Sequence, residues 1–256
     1  MAVTLKNRSE LELMRRAGRI VGECHMLLRD AVRPGVTTGQ LNTLVHNYIV
    51  KQGGVPSFLG YPGPTPYPAA TCISVNDEIV HGIPGPRVLR EGDLVSVDIG
   101  VIWQGYHGDS AWSYPVGRVA KATQDLLDVT EQTLYHALEF ARAGARLSDL
   151  SHAIQSYAES RGYGVVRKYI SHGVGRSLHE DPQIRNYGPP GKGLLLRPGM
   201  TFAIEPMITQ GGYETRELDD GWTVVTADRS LAAHFEHTIA ITENGGPEIL
   251  TRQESH

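Results

Sequence analysis

Residues 94–115 read LVSVDIGVIWQGYHGDSAWSYP, two runs joined by a turn signal at Gln104-Gly105, each carrying one aspartate. The pattern predicts a β-hairpin, and the position of its loop decides what the two acids can do. A two-residue loop at Trp103-Gln104 sets Asp98 directly opposite Asp109. A loop at Gln104-Gly105 sets Asp109 opposite Gly100, on the same face as Asp98 and one pair along. Directly opposed side chains stand ~4.5–5.5 Å apart at Cβ and diagonal ones ~7–8 Å. Either spacing lets two carboxylates grip metal ions about 3.5–4 Å apart. A three-residue loop would put the acids on opposite faces. The bland alternative is a pair of exposed hairpin acids, and the apolar LVSV run before Asp98 speaks against it.

Three further polar residues sit in or beside apolar, strand-like runs: His172 in KYISHGVG, Glu205 in MTFAIEP and Glu236 in HFEHTIAIT. Carboxylates are rarely buried unless paired or bound to metal. Four of them with one imidazole form an oxygen-rich ligand set, and their charge of about minus four matches two divalent cations. Strand alternation puts Ala203 and Glu205 on one face against Phe202 and Ile204. It likewise puts Glu236, Thr238 and Ala240 against Phe235 and Ile239. One such glutamate alone reads as half of a buried ion pair; the set of five points to metal.

The order of elements is a helix over about 10–32, broken by Pro34-Gly35, and a second from Thr37 or Thr38 to about Lys51. An irregular Pro/Gly/Tyr-rich loop follows over 58–68, then a β-rich stretch over about 71–116. Two more helices are expected over about 122–141 and 148–161, with strands and loops from 165 to 242. A repeat underlies this order. Arg33, Gly35, Leu41, Tyr48 and Gly53 match Arg142, Gly144, Leu150, Tyr157 and Gly162 at one offset. REGDLVSVD (90–98) matches RPGMTFAIE (197–205), which sets Asp98 on Glu205, and His81-Gly82-Ile83 matches His172-Gly173-Val174. The expectation is a single domain over 1–256 whose halves, roughly 10–116 and 122–245, face each other across a pseudo-twofold axis. His81 should then lie near the same centre. His172 and His179 flank glycines at 173 and 175 that let backbone approach a ligand. The Gly-x-Gly there lacks the strand-turn-helix frame of a nucleotide fingerprint. His107, His136, His152, His234 and His237 take no role in this reading.

Composition narrows the classes. The chain is 40% hydrophobic and 20% charged, ordinary for a soluble globular protein. A net charge of −4 gives no support to nucleic-acid or anionic-membrane binding. No apolar run nears the ~20 residues of a membrane helix, and the first residues lack the apolar core of a secretion signal. Two cysteines, Cys24 and Cys72, argue against a disulfide scaffold and fit a reducing cytoplasm.

EIVHGIPG, LVSVDIG, GYHGDSAW, SHGVGRSLHE, TFAIEPMI and FEHTIAIT, in this order, resemble the successive motifs of type I methionine aminopeptidases over nearly the whole chain. The resemblance implies an α/β (α+β) pita-bread fold with two related halves around a central curved antiparallel sheet. It implies removal of the initiator methionine from nascent polypeptides, with a small second residue preferred, by water activated between two divalent ions. Asp98 would chelate one ion, Asp109 and Glu236 would bridge both, and His172 and Glu205 would complete the second. Glu205 would also shuttle the proton to the leaving amine. His81 resembles the histidine that contacts the peptide nitrogen, and His179 the one that hydrogen-bonds the substrate carbonyl. Tyr61, Tyr67, Cys72, Leu178 and Trp222 fall in segments that line the methionine slot. Leu178 departs from the Phe of many relatives, and the loop from Tyr61 to Pro68 looks longer than usual. Cobalt, manganese, Fe(II), zinc and nickel all suit the ligand set. The resemblance further implies a cytoplasmic monomer, in transient contact with the ribosome, with no nucleic-acid or membrane partner. One rival is a peptidase that cleaves before proline, whose relatives carry a large N-terminal domain that this sequence lacks. The other is a catalytically silent binding protein of the same fold, which loss of a ligand residue would mark; all five are present.

Overall fold

Helix α1 (Arg8–Ala31) starts where its first turn can be satisfied. The Asn7 side chain accepts from the Glu10 N–H, and the Glu10 carboxylate accepts from the Asn7 N–H, which is a capping box. Helix α2 (Thr38–Lys51) repeats the device with Thr37 and Gln40. The computed structural model describes residues 3–243 and 245–253. The expected domain range also takes in Met1, Ala2, Asn244 and residues 254–256, which lie outside the described residues.

Five strands follow: β1 (Val55–Pro56), β2 (Thr71–Val75), β3 (Glu78–Val80), β4 (Leu94–Trp103) and β5 (Tyr106–Pro115). Strand β4 pairs along its whole length with β5, and on its other edge with β2 and then β1, all antiparallel. Helices α3 (Lys121–Leu138) and α4 (Leu147–Glu159) come next. Then come β6 (Gly164–Val165), β7 (Ser171–Gly173), β8 (Glu180–Ile184), β9 (Thr201–Ile204) and β10 (Met207–Thr209). The last are β11 (Thr215–Glu217), β12 (Val224–Thr226), β13 (Ala232–His234), β14 (His237–Ala240) and β15 (Glu248–Ile249). A five-stranded sheet runs β15-β14-β9-β7-β8, and two smaller sheets run β13-β10-β6 and β11-β12-β3.

The repeat read in the sequence reappears as repeated hydrogen bonds. Gly35 N–H donates to the Leu89 carbonyl and Leu89 N–H to that of Val36; Gly144, Leu196 and Ala145 make the same pair of bonds. The isolated bridge Thr37–Val88 has its counterpart in Arg146–Leu195. The matched glycines Gly35 and Gly144 have φ of 91° and 88°, and Gly92 and Gly199 have 89° and 86°. Only glycine takes this conformation cheaply, so the backbone shape itself is duplicated. Helices α1 and α2 bury Ile20, Leu28, Leu41 and Ile49 against Ile73, Val97 and Ile99 of the first sheet. Helices α3 and α4 bury Leu134, Leu150 and Ile154 against Phe202, Ile204 and Ile239 of the other. Trp112 touches both cores.

One expectation changes. The run around Glu236 is two strands, not one: β13 pairs with β10, and β14 pairs with β9. The chain changes sheets at Phe235 and Glu236, whose N–H groups donate to the Pro206 and Ala111 carbonyls.

Helix α1 lies close on its neighbours because of its glycines. A Cβ on Gly18 would stand 2.3 Å from the Leu250 carbonyl oxygen, and one on Gly108 of β5 would stand 2.6 Å from the Gly18 nitrogen. In a free helix Gly→Ala gains about 1 kcal/mol. Here overpacking reverses the sign, and Gly18→Ala is expected to destabilise by about 1–3 kcal/mol. Urea unfolding monitored by circular dichroism measures it; a midpoint raised by the substitution would refute the close contact.

Candidate metal centre

The hairpin adopts the second of the two registers the sequence allowed. Trp103 pairs with Tyr106, Gly100 with Asp109 and Asp98 with Ala111. Gln104 and Gly105 both have positive φ, 47° and 82°, as a two-residue turn matched to strand twist requires. Asp98 and Asp109 therefore share a face, one pair apart. On its other side Asp98 pairs with Cys72.

Hydroxyl groups join this hairpin to the second sheet. Thr238 Oγ1 accepts from the Asp109 N–H at 2.9 Å and donates to the Asp109 carbonyl at 2.8 Å. Ser110 Oγ donates to the Glu236 carbonyl, and Glu236 N–H donates to that of Ala111 at 2.8 Å. Ser113 Oγ accepts from the His234 N–H and donates to the His234 carbonyl, both at 2.9 Å. The seam sets Asp109 beside Glu236. From the other direction, Ser171 Oγ accepts the Glu205 N–H and donates to Asn186, whose amide donates to the Glu205 carbonyl.

His172, on β7, has Nδ1 at 2.9 Å from the Gly173 carbonyl. That bond fixes the ring proton on Nδ1 and leaves the Nε2 lone pair free. Nε2 lies 3.4 Å from Glu205 Oε1 and 3.9 Å from Asp109 Oδ2. These contacts are not ion pairs, because burial pushes the imidazole down to about 3 and keeps it neutral. Ligand atoms of Asp109, His172 and Glu236 lie within 4.8 Å of one another. Asp98 and Glu205 line the same cavity, of about 130 Å³.

Four carboxyl groups in one buried cavity repel one another. Burial, then its neighbour Asp109, holds Asp98 well above the carboxylate range, and burial pushes Asp109 to about 7. Burial, followed by the neighbouring aspartates, raises Glu205 and Glu236 as well. Asp98 Oδ1 and Asp109 Oδ1 are buried with no hydrogen-bond partner. Orphaned carboxylate oxygens beside a free imidazole lone pair are the donor set a divalent cation takes. The residues present fit such a group.

The rest of the cavity is apolar with two histidines. Phe58, Tyr67, Cys72 and Leu178 form a buried cluster, with Tyr61 and Trp222 packed on it. The Tyr67 hydroxyl donates to the Gly82 carbonyl at 2.8 Å, and its ring meets Trp222 edge-on. Trp222 Nε1 donates to the Thr65 carbonyl and so ties down the irregular loop. His179 Nδ1 shares a 2.6 Å hydrogen bond with the Tyr61 hydroxyl. With the phenol as donor, the neutral ring carries its proton on Nε2. His81 has φ of 60°, costly for a residue with a side chain by about 1–3 kcal/mol. It faces Tyr169 and Trp222, and burial lowers it to about 4.

All twelve residues singled out in the sequence thus line one cavity, and Phe58 joins them. His234 also belongs near the centre: it is buried, with Nε2 at 3.5 Å from Glu205 Oε2. Carrying the alternation of Thr238 and Glu236 back two residues would have found it. Of the other unassigned histidines, His107 meets Ser57 and His237 meets Thr251, while His136 and His152 lie on the helices. Among the described residues no helix is long and apolar enough to cross a membrane.

The model of metallopeptidase family M24 matches residues 12–243. The chain is 53% identical over 250 residues to methionine aminopeptidase 1 of Bacillus subtilis, covering 98% of this chain and 99% of that protein. Among solved structures it is similar to a methionine aminopeptidase from Thermotoga maritima, with a TM-score of 0.95 and 48% identity over 98% of this chain and all of the other. A prolidase from Pyrococcus furiosus shares the fold at a TM-score of 0.79 and 22% identity, over 98% of this chain and 66% of that one.

Carboxyl groups raised by burial hold protons that a cation must displace. Metal uptake by metal-free protein is therefore expected to release protons near pH 7, and apparent affinity to tighten from about pH 6 to about pH 8 as Asp109 ionises. Calorimetric titration with Mn(II) in two buffers of different protonation enthalpy measures the release. Equal heats in both buffers would show that the acids are already ionised.

Proposed function

This chain belongs to metallopeptidase family M24, and we propose from that premise that its cavity cleaves the peptide bond after an N-terminal methionine. The fold is the pita-bread fold of that family. The observation that carries the reading is the cavity itself: a polar end of four carboxyl groups and one imidazole, continuous with an apolar slot. The activity is that of a methionine aminopeptidase, a metallo-aminopeptidase that removes the initiator methionine.

Asp98, Asp109, Glu236, His172 and Glu205 would hold two divalent cations. Cations of this class, cobalt, manganese, Fe(II), zinc or nickel, lower the pKa of an attacking water and polarise the scissile carbonyl. Glu205, at the polar end of the cavity, takes a proton from the water and passes it to the departing amine. His179 donates from Nε2 to the carbonyl oxygen of the methionine. His81 contacts the peptide nitrogen from its strained backbone position. The methionine thioether enters the slot of Phe58, Tyr61, Tyr67, Cys72, Leu178 and Trp222, where sulfur meets aromatic edges. The catalytic unit is one domain over 1–256, met by nascent chains as a cytoplasmic monomer in transient contact with the ribosome.

Metal-stripped protein is expected to release no methionine from Met-Ala-Ser. Added Co(II), Mn(II) or Fe(II) should restore release, with Met-Leu-Ser left uncut; absence of release at verified metal binding would refute the reading. Asp98→Ala and Glu236→Ala are expected to lose both activity and metal, read by turnover and by metal analysis. His81→Ala should lower kcat about 10²-fold with metal content intact, and normal turnover in that variant would remove its role.

A further inference from the structure

The loop from Gly175 to Glu180 brings Leu178 and His179 to the cavity, and both of its ends are held by the start of the chain. At its far end the Glu180 carboxylate takes four hydrogen bonds. Oε1 accepts the N–H groups of Arg176 and Ser177, at 2.7 and 3.2 Å, which closes the loop on itself. Oε2 accepts Lys6 Nζ at 2.5 Å and Thr4 Oγ1 at 3.0 Å, both from outside the loop. The Lys6 side chain is only 5% exposed. Its stem lies directly on the loop backbone, for a Cβ on Gly175 would stand 2.4 Å from Lys6 Cε. The Lys6 N–H in turn donates to the Gly199 carbonyl at 2.7 Å, and Val3 packs on the core under α3 and α4.

At the near end, the Arg176 guanidinium lies 4.7 Å from the centre of the Tyr106 ring and 3.5 Å from Glu10 Oε1. The Tyr106 hydroxyl donates to the same oxygen at 2.6 Å. Between these grips the Gly175 carbonyl accepts the His107 N–H at 2.8 Å. No residue from Thr4 to Glu10 lines the cavity, yet the segment grips both ends of the connection from β7 to β8, whose residues 175–179 have no regular structure and whose Glu180 pairs with Gly173.

We propose that Thr4, Lys6 and Glu10 form a clamp that positions His179 and Leu178 against the substrate, with the pair of buried Lys6 and part-buried Glu180 as its main grip. The proposal rests on the functional reading for what His179 does, though not for where the clamp acts. A buried ion pair roughly breaks even in stability against an apolar substitute, but removing one partner leaves the other unpaired. The pair therefore sets geometry more than it adds stability. Lys6 and Glu180 are positioning residues, and their effect has to pass through His179.

Glu180→Gln separates the clamp from the loop's own closure, because one oxygen still accepts from Arg176 and Ser177 while an amide N–H₂ now faces Lys6 and Thr4. Hydrogen exchange of residues 174–180 is expected to quicken about ten-fold, with β4, β5 and β9 unchanged; unchanged loop exchange would overturn the clamp. In the metal-loaded enzyme, kcat/KM for Met-Ala-Ser should fall about ten-fold at full metal content. In a His179→Ala background the same change should cost less than about two-fold. An equal loss in both backgrounds would make the pair merely structural and sink the proposal. Lys6→Met provides a second break from the opposite side, and Arg15→Gln, which opens the Arg15–Glu248 pair elsewhere on α1, should leave activity unchanged. Wild-type protein that releases no methionine would defeat the functional reading, while the exchange result alone would still decide the clamp.

Discussion

The placing of four carboxyl groups in one buried cavity constrains everything around it. Asp98 and Asp109 come from β4 and β5, Glu205 directly follows β9 and Glu236 directly precedes β14, so two sheets must meet where four acids share one buried cavity. Regular pairing cannot make that junction, since β5 and β14 belong to different sheets. Side-chain hydroxyls make it instead. Thr238, Ser110 and Ser113 supply the donors and acceptors that a neighbouring strand would have offered. Each hydroxyl both gives and takes, so a single threonine satisfies the N–H and the carbonyl of Asp109 together. Without these bonds, buried backbone groups would go unpaired beside the charge, at a cost of about 1–3 kcal/mol each.

Duplication explains why the junction is central. Each half carries a helix pair on the outside and delivers a strand with one acid inward, Asp98 from the first and Glu205 from the second. Equal left-handed glycines and equal bridges keep the halves alike where the helices meet the strands. The likeness ends at the site. His172 lies in extended strand β7, whereas its counterpart His81 holds a left-handed backbone after β3. One has its Nδ1 proton fixed by the Gly173 carbonyl and its Nε2 lone pair free. The other is turned toward the aromatic wall of the slot.

What could be read in the sequence follows from which forces are local. The limits of α1, α2 and α4 agree with the sequence reading to about two residues, and Thr37 is legible as a cap because capping is local chemistry; α3, which has no side-chain cap, ends three residues earlier than its pattern, at Leu138. The hairpin register was narrowed to two possibilities by turn length, and positive φ at both Gln104 and Gly105 decides between them. Glu236 was placed on the right face, but the break in its strand was not visible. That break depends on Pro206 and Ala111, distant residues that accept the N–H groups of Phe235 and Glu236. Phe58 lies in no pattern of its own and joins the site through packing between segments far apart in the chain. His234 is in step with Glu236 and Thr238 along the sequence, but it sits on a different strand, β13, and its place beside Glu205 depends on the pairing of β13 with β10.

Polarity runs along the cavity from one end to the other, and the neutral state of its histidines follows from that. Burial depresses His81, His172 and His234 to about 4, 3 and 3. Imidazolium ions here would pair with the carboxylates and occupy the oxygens that Asp98 and Asp109 leave without partners. Neutral rings carry no charge and one N–H each, so they cannot neutralise the acids. They leave the acids without a counter-charge, and burial raises all four, with neighbouring acids adding to the rise of Asp98, Glu205 and Glu236. A divalent cation relieves the repulsion far better than a proton, because one ion can serve several oxygens at once. The apolar slot strengthens the effect, since Phe58, Tyr67 and Leu178 keep water from screening the charges. The apolar wall thus also sharpens the repulsion among the four acids, which a divalent cation would relieve.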